Sequence, residues 1–375
     1  MKIEKITLRH VRVPLVEPFR ISNGSVSEKD GIIVSVFADG VTGHGEASPM
    51  SGSFYSGETP ESTWTSLREE LIPRILAGRP ESIGDVNAIL GDGNPFARAG
   101  IETAFWDLQA HKDGVPLYAA LGGTRRPVES GLAVGIYPSI SELLRAVEKY
   151  LVEGYRRLKI KVEPGWDTQP LTEVRKRFGD IPLMVDANCA YTRGHIDHLK
   201  SLDEFGLIMI EQPLPRNDLE GHALLQAQIR TPLCLDEGAE DLNAVRKAIA
   251  LGSCRIINIK IQRLGGLTNA IAVHDLCAEA GVPVWAGTMP ELGIGCAQAI
   301  HLATLGNFRY PTDVESSLRW FVDDIIDPMI RVTDGMIRIP EGAGSAYRLD
   351  PGKIRKFMVR EESFAASQTS GSTVH

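Results

Sequence analysis

The chain has 375 residues, 43% hydrophobic and 23% charged, which excludes a disordered or fibrous protein and suits two domains or one large barrel with additions. A formal net charge of −8 disfavours nucleic acid, whose phosphates call for clustered Lys and Arg. With no apolar run long enough to span a bilayer and no signal-peptide core in its first ten residues, the expected setting is the cytoplasm and the expected partner a small molecule.

The N-terminal part opens with strand-like runs, Lys2 to Leu15 and Gly31 to Phe37, the second turning at Ala38-Asp39-Gly40 into Val41 to Ala47. Asp-Gly between such runs is a hairpin signal. Helical periodicity follows in Thr63 to Leu76, Ser82 to Leu90 and Ala97 to Lys112, so residues 1–127 read as an α+β unit. From there the pattern becomes short apolar runs, each followed by a helical stretch. The runs are Gly131–Tyr137, Arg157–Val162, Leu183–Asn188, Leu207–Gln212, Leu233–Gly238, Ile256–Ile261, Pro283–Thr288 and the weaker Phe308–Val314. This βα alternation predicts a parallel sheet, and eight strands close a barrel over 128–327.

Residues 328–362, with the strand-like Met336 to Ile339, are expected to return to the N-terminal unit. Residues 363–375, small and polar, are expected to be disordered. The five cysteines, Cys189, Cys234, Cys254, Cys277 and Cys296, are widely spaced, show no zinc-ligand pairing and suit reduced thiols.

One spacing carries the functional reading. Lys161, Asp186, Glu211, Asp236 and Lys260 lie at or near the ends of successive runs, 25, 25, 25 and 24 residues apart. Regular βα units place equivalent strand ends on one face of a barrel, so this period points all five side chains into one space. A lone acid at a strand end is as readily a helix cap; three at a constant period are better read as a group. Three carboxylates held together need protons or a cation, and an all-oxygen set suits Mg²⁺, with Mn²⁺ or another divalent ion as substitutes.

Lys161 and Lys260 flank the trio. Strands two and six of an eight-stranded barrel are opposed, so the two amines should face each other across the cation. That pair suits removal and return of a proton α to a carboxylate, with the metal stabilising the resulting enediolate. Lys159, on the same side of its strand as Lys161, has two readings: a charge that lowers the Lys161 pKa, or an anchor for a substrate carboxylate. Asn188 either bonds substrate or a metal-bound water, or simply forms a turn. Glu237 should point away from Asp236 and bond to Lys260 or Lys161.

These residues carry a resemblance. Lys159-Ile160-Lys161, Val185-Asp186-Ala187-Asn188, Ile210-Glu211-Gln212-Pro213, Leu235-Asp236-Glu237 and Ile259-Lys260 resemble the muconate-lactonising subgroup of the enolase superfamily. Within it, Pro18-Phe19-Arg20, Glu163 to Asp167, Arg177 to Asp180 and Asn188 to Thr192 resemble the N-succinylamino acid racemase and o-succinylbenzoate synthase family. The resemblance implies an α+β capping domain, completed by the C-terminal segment, over a modified TIM barrel. It also implies metal on Asp186, Glu211 and Asp236, an acid/base pair in Lys161 and Lys260, and a homo-oligomer by analogy.

Loops near 19–24 and 50–56 close over substrate in that family, which makes Ile21, Met50 and Tyr55 candidates for substrate contact. Met289 is another, at the seventh strand end. There Gly287-Thr288-Met289-Pro290-Glu291 departs from the family's two glycines followed by Met and Ile, and Pro290 has no N–H to offer a carboxylate. Ala133 stands where a serine is common, and Gln262 and Leu264 also depart from the pattern. Dipeptide epimerases and muconate-type cycloisomerases are the alternative enzymes, and a catalytically silent metal-binding barrel is the non-enzyme alternative.

Overall fold

The computed structural model describes residues 1–21, 24–50 and 56–365. Ile3–Ile21, Gly24–Ala38 and Val41–Ala47 form an antiparallel sheet whose fourth strand is Met358–Ala365, paired to the outer edge of Ile3–Ile21. The Asp39-Gly40 turn has φ of +52° and +78°, the backbone that a two-residue hairpin demands. Strand alternation divides this sheet between two cores. Ile6, Leu8, Ile32, Val34 and Val36 pack with Leu67, Ile72, Ile75, Phe105 and Leu108 of the unit's own helices, whereas Val11, Val13 and Ile33 join the barrel's core.

The helix Pro95–Lys112 lies against Val41–Ala47 because Gly43 and Gly45 have no side chains. A Cβ on either would stand 2.2 Å from the carbonyl oxygen of Ala104 or Gly100.

The barrel strands are Leu132–Val134, Leu158–Lys161, Leu183–Asp186, Ile210–Glu211, Leu233–Leu235, Ile256–Ile259 and Val284–Ala286, all parallel and adjacent in chain order. The expected eighth strand is a correction. Its segment closes the ring only through isolated bridges, Phe308 to Val284 and Thr312 to Ser130. Pro311 has no N–H to give a continuous ladder. Several strands also stop short of their apolar runs, because the backbone turns sharply once the functional residue is passed. Asn188, Cys189 and Gln212 have φ of +43°, +64° and +40°, within three residues after Asp186 and Glu211.

Beyond the barrel, Met336–Ile337 pairs with Val128–Glu129 and with Val332–Thr333, and Pro351–Phe357 is a helix. The last strand runs to Ala365, with Phe364 packed on the capping-domain core, so Ser363, Phe364 and Ala365 are ordered within a stretch expected to be disordered. The five cysteines are free thiols, and among the described residues no helix is long and apolar enough to cross a membrane.

Candidate active site

The strand ends deliver the five ionisable side chains to one rim. Lys161, Asp186 and Glu211 end the second, third and fourth strands and are register neighbours, while Asp236 and Lys260 directly follow the fifth and sixth. None of the five is more than 6% exposed, so each charge needs a partner inside the protein.

Those partners are found around the trio. Lys161 Nζ donates to Asp186 Oδ2 at 2.5 Å and to Asn188 Oδ1 at 2.8 Å. Lys260 Nζ donates to Asp236 Oδ2 at 2.9 Å, and Arg263 donates to Asp236 Oδ1 at 2.5 Å and to its carbonyl at 2.8 Å. Asn258 Nδ2 donates to Glu211 Oε1 at 2.7 Å. Glu211 Oε2 receives no hydrogen bond, although Lys159 Nζ stands 3.3 Å away. In this conformation Asp186 and Asp236 are each paired with a different lysine while Lys159 stands within 3.5 Å of both Asp186 and Glu211, and among the described residues no three His, Cys, Asp or Glu side chains are grouped as an ion would require.

The electrostatics follow from burial and these pairs. Burial, reinforced by the charge on Asp186, pushes the Glu211 carboxyl up to about 8. Burial acts on Asp236 and Asp186 too, but Arg263 and Lys260 outweigh it for Asp236, and Lys161 and Lys159 for Asp186, so both lie below the usual carboxylate range. For Lys159, burial favours the neutral amine, yet Asp313, Glu211 and Asp186 prevail and hold it as a firm cation. It donates to Asp313 Oδ2 and stands 3.5 Å from Asp186 Oδ2.

Asn188 is buried and bridges Lys161 to Glu237, whose Oε1 it reaches at 3.0 Å. Glu237 is thus linked to Lys161 through Asn188, and the Lys260 charge also acts on it. Burial and the neighbouring Asp236 charge push Glu237 up to about 7.

Lys159, Lys161 and Lys260 line one cavity of about 510 Å³, counting its mouth. Its far wall is apolar: Phe19, Val26, Met50, Met289 and Trp320. Phe19 meets Trp320 edge-on at 4.7 Å between ring centres. Met289 is therefore at the cavity, as is Pro290, and the Met289 amide is already donated to Glu291 Oε2 at 3.0 Å. Tyr55 and the side chain of Ile21 lie outside the described residues.

Sequence reasoning missed Asp313, Arg263 and Asn258. Asn258 had a usable signal, standing two residues before Lys260 on the same side of the strand, as Lys159 does before Lys161.

A capping sheet over a parallel barrel, with acids on the third to fifth strands between two lysines, defines the enolase class of enzymes. Residues 142–353 match the family described as Enolase C-terminal domain-like, and residues 3–122 the Mandelate racemase / muconate lactonizing enzyme N-terminal domain. The chain is 45% identical to an o-succinylbenzoate synthase of Geobacillus stearothermophilus, covering 95% of this chain and 96% of that one. It is 40% identical to an N-succinylamino acid racemase of Thermus thermophilus, covering 98% and 100%. An enolase-superfamily protein from Listeria innocua superposes with a TM-score of 0.93 at 34% identity, covering 98% and 100%. The chain belongs to the mandelate racemase/muconate lactonizing enzyme family of the enolase superfamily.

Proposed function

We propose that the protein removes and returns the proton α to a carboxylate, with Lys161 and Lys260 as the acid/base pair and N-acyl, above all N-succinyl, amino acids as substrates. The observation that carries this is one cavity lined by two lysines, each tethered to a different carboxylate of the acid trio.

Asp186, Glu211 and Asp236 would hold Mg²⁺, or Mn²⁺ in its place. The unsatisfied Glu211 Oε2, buried on a carboxyl pushed up to about 8, is what a cation would relieve, and an all-oxygen set suits a hard ion. When bound, such an ion supplies positive charge where the substrate carboxylate gathers negative charge, the role Mg²⁺ plays beside a Lys or His base in this superfamily.

The chain's own groups do the rest. Lys161 Nζ takes the α proton on one face and Lys260 Nζ delivers one on the other, so reversal interconverts the enantiomers. Lys159, held charged by Asp313, anchors the carboxylate end electrostatically and keeps a positive field beside Lys161. Asn188 fixes the direction of the Lys161 amine. The apolar wall excludes water and receives the substrate's side chain.

The relative at 45% identity favours a second reaction in the same site, o-succinylbenzoate synthesis. It opens with the same proton abstraction and finishes by breaking the bond to a β-hydroxyl, which leaves as water by taking back the proton the lysine had removed. Incubation with Mg²⁺ and N-succinyl amino acids in D₂O, followed by NMR, tests the reading: α-deuteration of both enantiomers is expected. No exchange across succinyl, other acyl and dipeptide substrates would contradict it.

A further inference from the structure

Lys29 is a buried lysine of the capping sheet that makes no hydrogen bond to the acid trio. It lies on Gly24–Ala38, is 3% exposed, and donates to two backbone carbonyls, Ser48 at 3.0 Å and Pro49 at 2.9 Å. The next residue is Met50, on the cavity wall. Burial lowers the Lys29 pKa, against the opposing charges of two buried acids, Glu46 and Glu291. Each carboxylate ties the capping domain or the seventh strand end to the turn that follows it. Glu46 accepts from the amides of Leu292 and Gly295 at 2.8 Å each, capping the helix Gly293–Leu302. Glu291 accepts from the amide of Met289, the second thioether of the wall. Gln262, in the turn after Lys260, completes the tie by accepting from Ser48 N at 2.9 Å and donating to Glu46 O at 2.8 Å.

We propose that Lys29 and Glu291 are positioning residues that hold Met50 and Met289, two of the five side chains of the apolar wall, and so set the size of substrate side chain the site accepts. This rests on the function proposed above. A lysine is costly to bury unless its donors are satisfied, and here they are satisfied by the two carbonyls of the backbone leading directly into Met50. Two flexible thioethers make a wall that fits apolar side chains only if their backbones are fixed. Neither residue touches the acids or the two lysines at which the proton moves.

The test compares wild type with Lys29→Met and Glu291→Met, with Glu291→Gln as the conservative replacement that keeps an acceptor for the Met289 amide. For N-succinyl-phenylalanine the Met variants should raise KM about tenfold with kcat within about twofold, the order of discrimination an apolar pocket yields. For N-succinyl-alanine, whose side chain is a single methyl, KM should stay near wild type, and Glu291→Gln should restore most of the loss. Hydrogen exchange of the Ser48 and Met50 amides, read by mass spectrometry, should be faster in Lys29→Met. If that variant does not fold, the Glu291 pair decides the matter through the same KM split.

Equal loss with both substrates, a fall confined to kcat, or unchanged exchange and KM would overturn the proposal. Wild-type protein that deuterates no acyl amino acid would instead overturn the function, leaving the exchange measurement to judge the positioning claim by itself.

Discussion

Lys159 and Asp313 are ion-paired across the seam of the barrel, joining the second strand to the segment that stands in for the eighth. Arg157 binds the same carboxylate at 2.8 Å, so two cations and one acid lock the ring where its backbone ladder is weakest. Lys159→Met leaves Asp313, Glu211 and Asp186 without their shared charge. Removing one partner of a buried pair costs roughly 3–5 kcal/mol. Thermal unfolding monitored by circular dichroism should show a clear drop in Tm, and an unchanged Tm would refute the lock.

Glu211 makes cation binding depend on pH. Its folded carboxyl is raised from an ordinary 4.5 to about 8, so without a cation the folded state holds a proton that the unfolded chain releases above 4.5. Stability from this group is present below pH 4.5 and lost as pH rises toward about 8. Mg²⁺ must displace that proton, so its affinity should rise with pH and level off above about 8, by at most about a decade per unit. Calorimetry in buffers of different ionisation enthalpy should detect proton release on binding at pH 7, and clearly less release in Glu211→Gln.

Gln212 ties two of the acids together. Held at φ +40°, it accepts from the amides of Asp236 and Gly238, each at 2.9 Å, and donates to the Leu214 carbonyl at 3.0 Å. Gln212→Ala strands two buried N–H groups, at about 1–3 kcal/mol each. Reduced stability together with weaker Mg²⁺ binding is expected in a melt with and without the ion. Full stability with intact binding would show that Asp236 needs no such support.

Much of this arrangement was legible because the βα repeat is a metric property of the chain: one strand and one helix take about 25 residues, and Lys161 through Lys260 keep that step. Asp313 fell outside it because Pro311 degrades the eighth apolar run to isolated bridges, which removes the alternation that would have marked a strand end. Arg263 was hidden in the helical turn after Lys260, where strand reasoning does not reach. The Lys29, Glu46 and Glu291 cluster joins residues more than 240 positions apart, and no local periodicity announces such a contact. The link from Asn188 to Glu237 arises at the left-handed turn of Asn188 and Cys189, which strand alternation does not foresee.

The central claim is that two amines work on opposite faces of one carbon. The most direct measurement follows interconversion of N-succinyl amino acid enantiomers by polarimetry in wild type, Lys161→Met and Lys260→Met, with Mg²⁺ binding checked in each. Both variants should bind the ion yet lose interconversion by a factor of about 10³ or more, the upper part of what a positioned acid or base contributes. Interconversion that survives the loss of either lysine would contradict the account.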